Sequence, residues 1–309
     1  LTGQKIALVT GAYGSIGRHV ASALAKRGWS VHGIGHGDWR RDQLSQWGLS
    51  AWHQEDVSLE GLRSMPVRPS LIVHCAGSGS VGASVAEPYI DFVRTVSPTA
   101  AVLEYLRVDC PGAALVYPSS AAVYGIADKF PMSEGSSLRP ASPYGVHKRA
   151  AEELIREYAR LFDLNASVVR LFSIYGEGFR KQLLWDACRR IMANEYEFFG
   201  TGSETRDWLH VSDAADLMVR AADYASPQCP VVNGGGGIAV TVREVIAELF
   251  ALMDCEDRAE FCGTVRPGDP RDYQADIRQA LAWGWQPRIP WKDGLALYVS
   301  WFQREHGLL

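Results

Sequence analysis

No run of apolar residues in the 309-residue chain approaches the ~18 that cross a bilayer as a helix, so no membrane-spanning segment is expected. None of the six cysteines (Cys75, Cys110, Cys188, Cys229, Cys255 and Cys262) belongs to a Cys-x-x-Cys pair, and Cys75 lies in the apolar run Val73-His74-Cys75-Ala76. That usage excludes a zinc ribbon or a disulfide framework and reads as reduced cysteine. The eight histidines show no ligand spacing such as His-Glu-x-x-His, so no metal site is expected and metal hydrolysis is disfavoured. Strong charge is missing too: the formal net charge is -4. Nothing global therefore draws the chain to nucleic acid or an anionic membrane, and an anionic small molecule must be met by local arginines. Repeats, low-complexity tracts and Gly/Ser linkers are absent, which argues for one body. A strand from Lys5 leaves no room for a signal peptide before it, and a cytoplasmic protein is expected.

What is present is an alternation. Short apolar, β-rich runs at 5–10, 30–35, 51–54, 71–75, 113–118 and 167–172 are separated by helix-length segments. This is the pattern of buried parallel strands joined by crossover helices. Ile16, Val20 and Leu24 recur every fourth residue after the first run, as on an amphipathic helix packed back on a sheet. The fold class expected is α/β, a doubly wound parallel sheet (Rossmann) with a smaller α/β substrate-binding lobe. The dinucleotide-binding domain spans 1–172, with 207–235 returning to it; 173–206 and 236–309 form the lobe. Ligands of such sheets bind beyond the carboxyl ends of the strands.

Between the first strand and first helix runs Thr10-Gly11-Ala12-Tyr13-Gly14-Ser15-Ile16-Gly17. Glycine there permits a sharp turn, close approach of a pyrophosphate and tight helix–strand packing, while the helix start offers unpaired N–H groups to the anion. Asp56-Val57 follows the third strand, where an adenine contact is expected. The second strand ends unusually. NAD sites place an acid there to hold the ribose hydroxyls, yet this chain has Gly35, then His36, with Arg40 and Arg41 close by. A missing carboxylate beside cations favours NADP over NAD; the alternative is that Asp38 reaches back to the ribose.

Tyr144 and Lys148 stand four apart in Ser142-Pro143-Tyr144-Gly145-Val146-His147-Lys148. Pro143 suits a first helical turn, and the spacing puts both side chains on one face. A tyrosine of ordinary pKa, roughly 10, is a poor base at neutral pH; a nearby ammonium is expected to lower it, letting the phenol exchange a proton with a carbinol. Ser119 and Ser120 end the preceding strand, where a hydroxyl can orient the reacting oxygen.

Taken together these stretches resemble the extended short-chain dehydrogenase/reductase family, in its nucleotide-sugar epimerase, dehydratase and reductase branch. The resemblance rests on the glycine loop, Ser119-Ser120-Ala121-Ala122-Val123-Tyr124-Gly125 and Ser142-Pro143-Tyr144-x-x-x-Lys148. It continues through Arg170-Leu171-Phe172-Ser173-Ile174-Tyr175-Gly176, Arg206-Asp207-Trp208-Leu209-His210-Val211 and Arg266-Pro267-Gly268-Asp269. It implies a Ser120/Tyr144/Lys148 triad and a nicotinamide dinucleotide. The cofactor would be held by Gly11, Tyr13, Gly14, Ser15, Ile16, Gly17, Gly35, His36, Arg40, Asp56, Val57, Ala76, Tyr144 and Lys148. A nucleotide-diphospho-sugar would meet Ser119, Ser173, Arg206 and Arg266, the two arginines on its diphosphate. Relatives often dimerise through two helices per subunit, so a homodimer is expected.

The departures are informative. Sugar 4,6-dehydratases of the family carry Asp-Glu where this chain has Ala121-Ala122, which move no proton, so dehydration is not expected. Ser173 replaces a common Asn and marks an altered substrate pocket. With Gly35 favouring an exchangeable NADPH, the sequence favours a 4-keto-sugar reductase; the alternatives are a 4-epimerase using the same residues and, from another class, a non-catalytic dinucleotide-binding protein.

Overall fold

The computed structural model describes residues 5–127, 129–256, 258–264 and 271–307. Its strands are β1 (Ile6–Thr10), β2 (Ser30–Gly35), β3 (Leu49–Gln54), β4 (Leu71–His74), β5 (Ala114–Ser120), β6 (Asn165–Leu171), β7 (Ser173–Tyr175), β8 (Glu197–Phe198), β9 (Thr205–His210), β10 (Val231–Gly234), β11 (Ala239–Thr241) and β12 (Glu260–Phe261). The α-helices are α1 (Ser15–Lys26), α2 (Arg41–Gln46), α3 (Leu59–Arg63), α4 (Val81–Ala86), α5 (Pro88–Asp109), α6 (Pro143–Phe162), α7 (Gln182–Met192), α8 (Val211–Ala221), α9 (Val242–Leu252), α10 (Arg278–Ala282) and α11 (Trp291–Glu305).

Seven strands form one parallel sheet in the order β10-β6-β5-β4-β1-β2-β3. This is the doubly wound Rossmann arrangement that the alternation predicts. The order reverses between β1 and β4, and the crevice beyond their carboxyl ends is the natural ligand site. Alternation along β1 sends Ala7 and Val9 into one core and Leu8 into the other. On the first face α1 meets α8 through Val20, Leu24 and Leu217, all fully buried. On the second, Leu103 and Leu106 of α5 pack with Ile155 and Ala159 of α6. Each large apolar side chain so buried contributes roughly 1.5–3 kcal/mol.

Strand ends differ from expectation where pairing outruns apolar content. β5 continues past Pro118 because Ser119 and Ser120 pair with Arg170 and Leu171. β6 likewise starts at Asn165, opposite Ala114, and β3 at Leu49, opposite Val31.

After Leu171 the chain builds a second sheet in the order β11-β9-β7 and the short pair β12-β8, while β10 returns to the main sheet beside β6. Asp207 joins these parts. It is fully buried, accepts from the Gly237 and Ala275 amides at 3.0 and 2.8 Å, and also accepts from the Gly236 amide. Burial pushes its pKa up to about 6 against those hydrogen bonds. The surface ion pair with Arg206 that its position in the sequence allows does not form; Arg206 donates instead to the carbonyls of Thr205 and Arg271, at 2.8 and 3.1 Å.

Candidate active site

The glycine loop turns at Gly11, whose φ is +64°. A Cβ there would come within 2.8 Å of the Ala76 backbone, and one at Gly17 would strike the carbonyl of Gly11. The loop therefore lies directly on the chain leaving β4, and only glycine fits. Gly14 caps α1 without a side chain, and no acid occupies the first turn. The leading N–H groups of the helix keep their positive end facing the crevice. This cradle fits a pyrophosphate. The Ser15 hydroxyl donates to Gly178 O at 2.8 Å, which leaves its amide as the group for an anion. Tyr13 stands over the loop, edge-on to Trp39 with ring centroids 5.2 Å apart.

Gly35, His36, Asp56, Val57 and Ala76 gather along the same sheet edge, after β2, β3 and β4. The corner is less basic than its sequence promised. His36 Nε2 lies 2.8 Å from Asp56 Oδ1, and Arg40 lies 3.2 Å from Asp42. His36 and Arg40, counted toward a 2′-phosphate, are thus each answered by an acid, and the Arg41 side chain lies outside what the structure describes. Val57 is half-buried and packs on the core around Leu62.

The second cluster forms where β5 ends and α6 begins. Ser142 caps α6 by accepting from the Gly145 amide at 3.2 Å, with Pro143 in the first turn. Tyr144 and Lys148 so share one face, and Ser120 acts on the Tyr144 phenol from the end of β5. Burial raises the Tyr144 pKa, the Ser120 hydrogen bond lowers it, and the Asp91 carboxylate raises it further. The expected lowering by Lys148 is not what the geometry delivers. The Lys148 ammonium donates to Pro118 O at 3.0 Å and rests 4.7 Å from the centre of the Tyr117 ring. Burial brings Lys148 itself down to about 8, opposed by Cys75, Asp91 and Glu152.

Ser119 corrects another expectation. Neighbouring residues of a strand face opposite ways, so with Ser120 at the site Ser119 points into the protein, donating to Glu152 Oε1 at 2.5 Å. There Arg170 grips Glu152 at 3.0 and 2.7 Å and donates to the Tyr124 hydroxyl at 3.1 Å. Tyr124 in turn donates to Asn233 Oδ1 at 2.7 Å. This buried network braces the Ser120 turn. Arg170 and Tyr124 lay in recognised motifs; Glu152 and Asn233 had no signal beyond polarity in apolar surroundings. Ser173 heads β7, half-buried, and Arg206 on β9 lies 5.8 Å from the Tyr273 ring centre. Arg266 falls outside the described residues. Among the described residues no cluster of His, Cys, Asp and Glu could hold a metal, and no helix is long and apolar enough to cross a membrane.

A model of the NAD dependent epimerase/dehydratase family matches residues 7–233. The chain belongs to that family. Among relatives of this epimerase/dehydratase chain, the UDP-glucose 4-epimerase of Mycolicibacterium smegmatis is 29% identical, over 96% of this chain and 98% of its own. The solved UDP-glucose 4-epimerase of Thermotoga maritima, with UDP-glucose, matches with a TM-score of 0.89 at 26% identity, over 97% of this chain and 99% of that one. MoeE5 in complex with UDP-glucuronic acid and NAD matches with a TM-score of 0.85 at 30% identity, again over 97% and 99%. The chain is thus an enzyme of the epimerase/dehydratase family. Where these relatives have a named activity it is 4-epimerisation, the alternative rather than the favoured reading of the sequence, and the dinucleotide named is NAD.

Proposed function

We propose that the protein is a nucleotide-diphospho-sugar 4-epimerase that works with NAD on a UDP-hexose or UDP-hexuronic acid. The observation that carries this reading is the meeting of Ser120, Tyr144 and Lys148 beside a glycine cradle, in a chain whose relatives include UDP-sugar 4-epimerases. The reductase reading leaned on an NADP corner, and its support is weakened by the ion pairs of His36 and Arg40.

In this reading residues 1–172 with 207–235 bind the dinucleotide, and 173–206 with 236–309 bind the nucleotide-sugar. The α1 start and Gly11 would hold the pyrophosphate, Asp56 and Val57 the adenine side, and Lys148 the nicotinamide ribose. A dinucleotide held there would supply reversible hydride acceptance for the sugar C4. Tyr144 takes the proton from the C4 hydroxyl as the carbonyl forms and gives it back on return. Ser120 holds that oxygen by a hydrogen bond. Burial keeps the free Tyr144 phenol protonated at neutral pH, so proton removal must be drawn by the bound substrate and the charge of Lys148. Ala121 and Ala122 offer no group for the further proton transfers of water loss. Arg206 would meet the diphosphate, and α5 with α6 would form the face for a homodimer.

The test is a reaction of the purified protein with UDP-glucose or UDP-glucuronic acid in heavy water, followed by proton NMR. Epimerisation should proceed without consuming added NADH or NADPH and keep the original hydrogen at C4, since hydride never reaches solvent. Stoichiometric oxidation of NADPH by a 4-keto sugar, with no epimerisation, would overturn the reading.

A further inference from the structure

Behind the catalytic cluster, the start of α5 meets α6 through a buried polar contact, while the later turns pack Leu103 and Leu106 on Ile155 and Ala159. Asp91, Thr95 and Thr99 recur every fourth residue on α5 and are all buried. Asp91 Oδ2 lies 2.6 Å from His147 Nδ1, and Asp91 Oδ1 is buried with no hydrogen-bond partner among the described residues. His147 stands three residues after Tyr144 and directly before Lys148, on the same helix. Its side chain is only slightly exposed and lies edge-on to Phe92, with centroids 5.5 Å apart.

A carboxylate only accepts, so the proton of this bond sits on His147 Nδ1. With a neutral imidazole the pair keeps one full negative charge, shut away from water, where its field is weakly screened. The first turn of α5 accommodates that charge, as a helix start does. The groups facing it are Tyr144, His147 and Lys148 from α6 and Tyr117 from β5, whose hydroxyl is likewise buried and unpartnered among the described residues.

We infer that Asp91 and His147 are positioning residues for the Tyr144–Lys148 pair: the buried Asp91 carboxylate, held by the His147 Nδ1 hydrogen bond, sets its charge behind the turn of α6 that carries both. This rests on the catalytic reading of Tyr144 and Lys148 given above. The direction agrees at each neighbour, since Asp91 raises Tyr144, raises Lys148 against its burial and raises Tyr117. In effect Asp91 supplies the negative charge that makes a buried ammonium tolerable, so the Lys148 cation persists at the pH where the reaction needs it.

The experiment is a pH titration of full-length protein carrying ε-carbon-labelled lysine. Six lysines give six signals, and that of Lys148 is assigned by its loss in Lys148→Arg. In Asp91→Asn the Lys148 signal should titrate at lower pH than in the wild type. The alkaline limb of kcat should move the same way, with KM for the nucleotide-sugar unchanged. His147→Gln, which still donates to Asp91, should restore the wild-type titration, whereas His147→Leu should not. Should Asp91→Asn not fold, Asp91→Leu/His147→Leu replaces the pair with apolar groups and carries the same comparison. Equal Lys148 titrations in wild type and folded variant would overturn the inference and leave the pair a packing feature. The lysine titration reads Asp91 without turnover, whereas the catalytic reading itself fails only if Tyr144→Phe stays fully active.

Discussion

Lys148 and Pro118 meet through a 3.0 Å hydrogen bond from the ammonium to the carbonyl, so α6 is tied to the strand that ends in Ser120. The lysine thus fixes the spacing of Tyr144 and Ser120 as well as carrying charge. Burial brings its pKa to about 8. The ammonium is present below that value and lost as the pH rises through it. If the reaction needs the cation, kcat should fall on the alkaline side of about 8. A Lys148→Met variant should lose activity at every pH, not merely shift its profile. A pH–rate series on both proteins checks this, and a wild-type rate that is flat across that range counts against the cation.

Tyr144→Phe removes the proton carrier and keeps the ring. Turnover should drop by ~100-fold or more, the scale for loss of a positioned acid–base group. Dinucleotide affinity should stay within a few-fold. Rates together with a fluorescence titration of NADH separate the two, and full activity in the variant would remove Tyr144 from the mechanism.

Much of this was legible along the chain, because punctuation residues mark it. Gly11, Gly14 and Gly17 announce the first crossover, and Ser142-Pro143 announces α6. What stayed hidden depends on partners far away in sequence. Ser119 looked like a second site hydroxyl, but strand alternation turns it to Glu152, 33 residues on. Asp91 and His147 are 56 residues apart. His36 read as a free cation until the fold set Asp56 against it, whereas the partner of Arg40, Asp42, is only two residues on and was legible locally. Local pattern shows which element a residue occupies; only packing shows which distant charge it meets.

Breaking the Arg170–Glu152 pair should be costly. Both side chains are buried, and without Arg170 the Glu152 charge keeps only Ser119 and the longer 3.4 Å contact to Arg156, so the cost should approach the ~3–5 kcal/mol of a broken buried pair. Arg170→Met should lower stability on that scale in urea unfolding. The double variant Arg170→Met/Glu152→Gln should recover part of it. A single variant as stable as the wild type would mean that Glu152 finds another partner.

Acid should unfold the protein through its buried histidines. Burial holds His74 at about 3, and His19 and His210 at about 4, against an ordinary 6.5. As pH falls below 6.5 the unfolded chain takes up protons that the folded one refuses. Each such site then costs about 1.4 kcal/mol per pH unit until its folded pKa is reached. Asp207, raised to about 6, works the other way between about 6 and its ordinary 3.8, offsetting one of the three. The net expectation is stability falling between pH 6.5 and 4. His74 bridges Thr10 at 2.7 Å and Thr99 at 3.3 Å, so His74→Gln can keep a hydrogen bond while removing one titrating group. Urea midpoints at several pH values should show a shallower acid slope in that variant, and an unchanged slope would mean that His74 is already charged when folded.

Cofactor choice turns on the corner after β2. Gly35 has a φ of +147°, a conformation L side chains rarely adopt, although a Cβ would meet nothing nearer than 3.5 Å. An acid placed there to hold the ribose is thus resisted by backbone strain, of order 1–3 kcal/mol, rather than by lack of space. The ribose must be met otherwise, and the exposed acids here are Asp38, Asp42, Glu55 and Asp56. Asp56 already faces His36 and Asp42 already faces Arg40, so a 2′-phosphate would approach paired cations with acids beside them. The wild type should therefore bind NADH more tightly than NADPH. Asp42→Asn, which frees Arg40, should narrow that gap, because like-charge repulsion often decides between similar ligands. Gly35→Asp should lower stability before it improves NADH binding. Paired titrations of both dinucleotides at fixed ionic strength test this, with urea unfolding of the Gly35 variant. Firm wild-type preference for NADPH would show that this corner is read by its cations after all, and would return weight to a reductase.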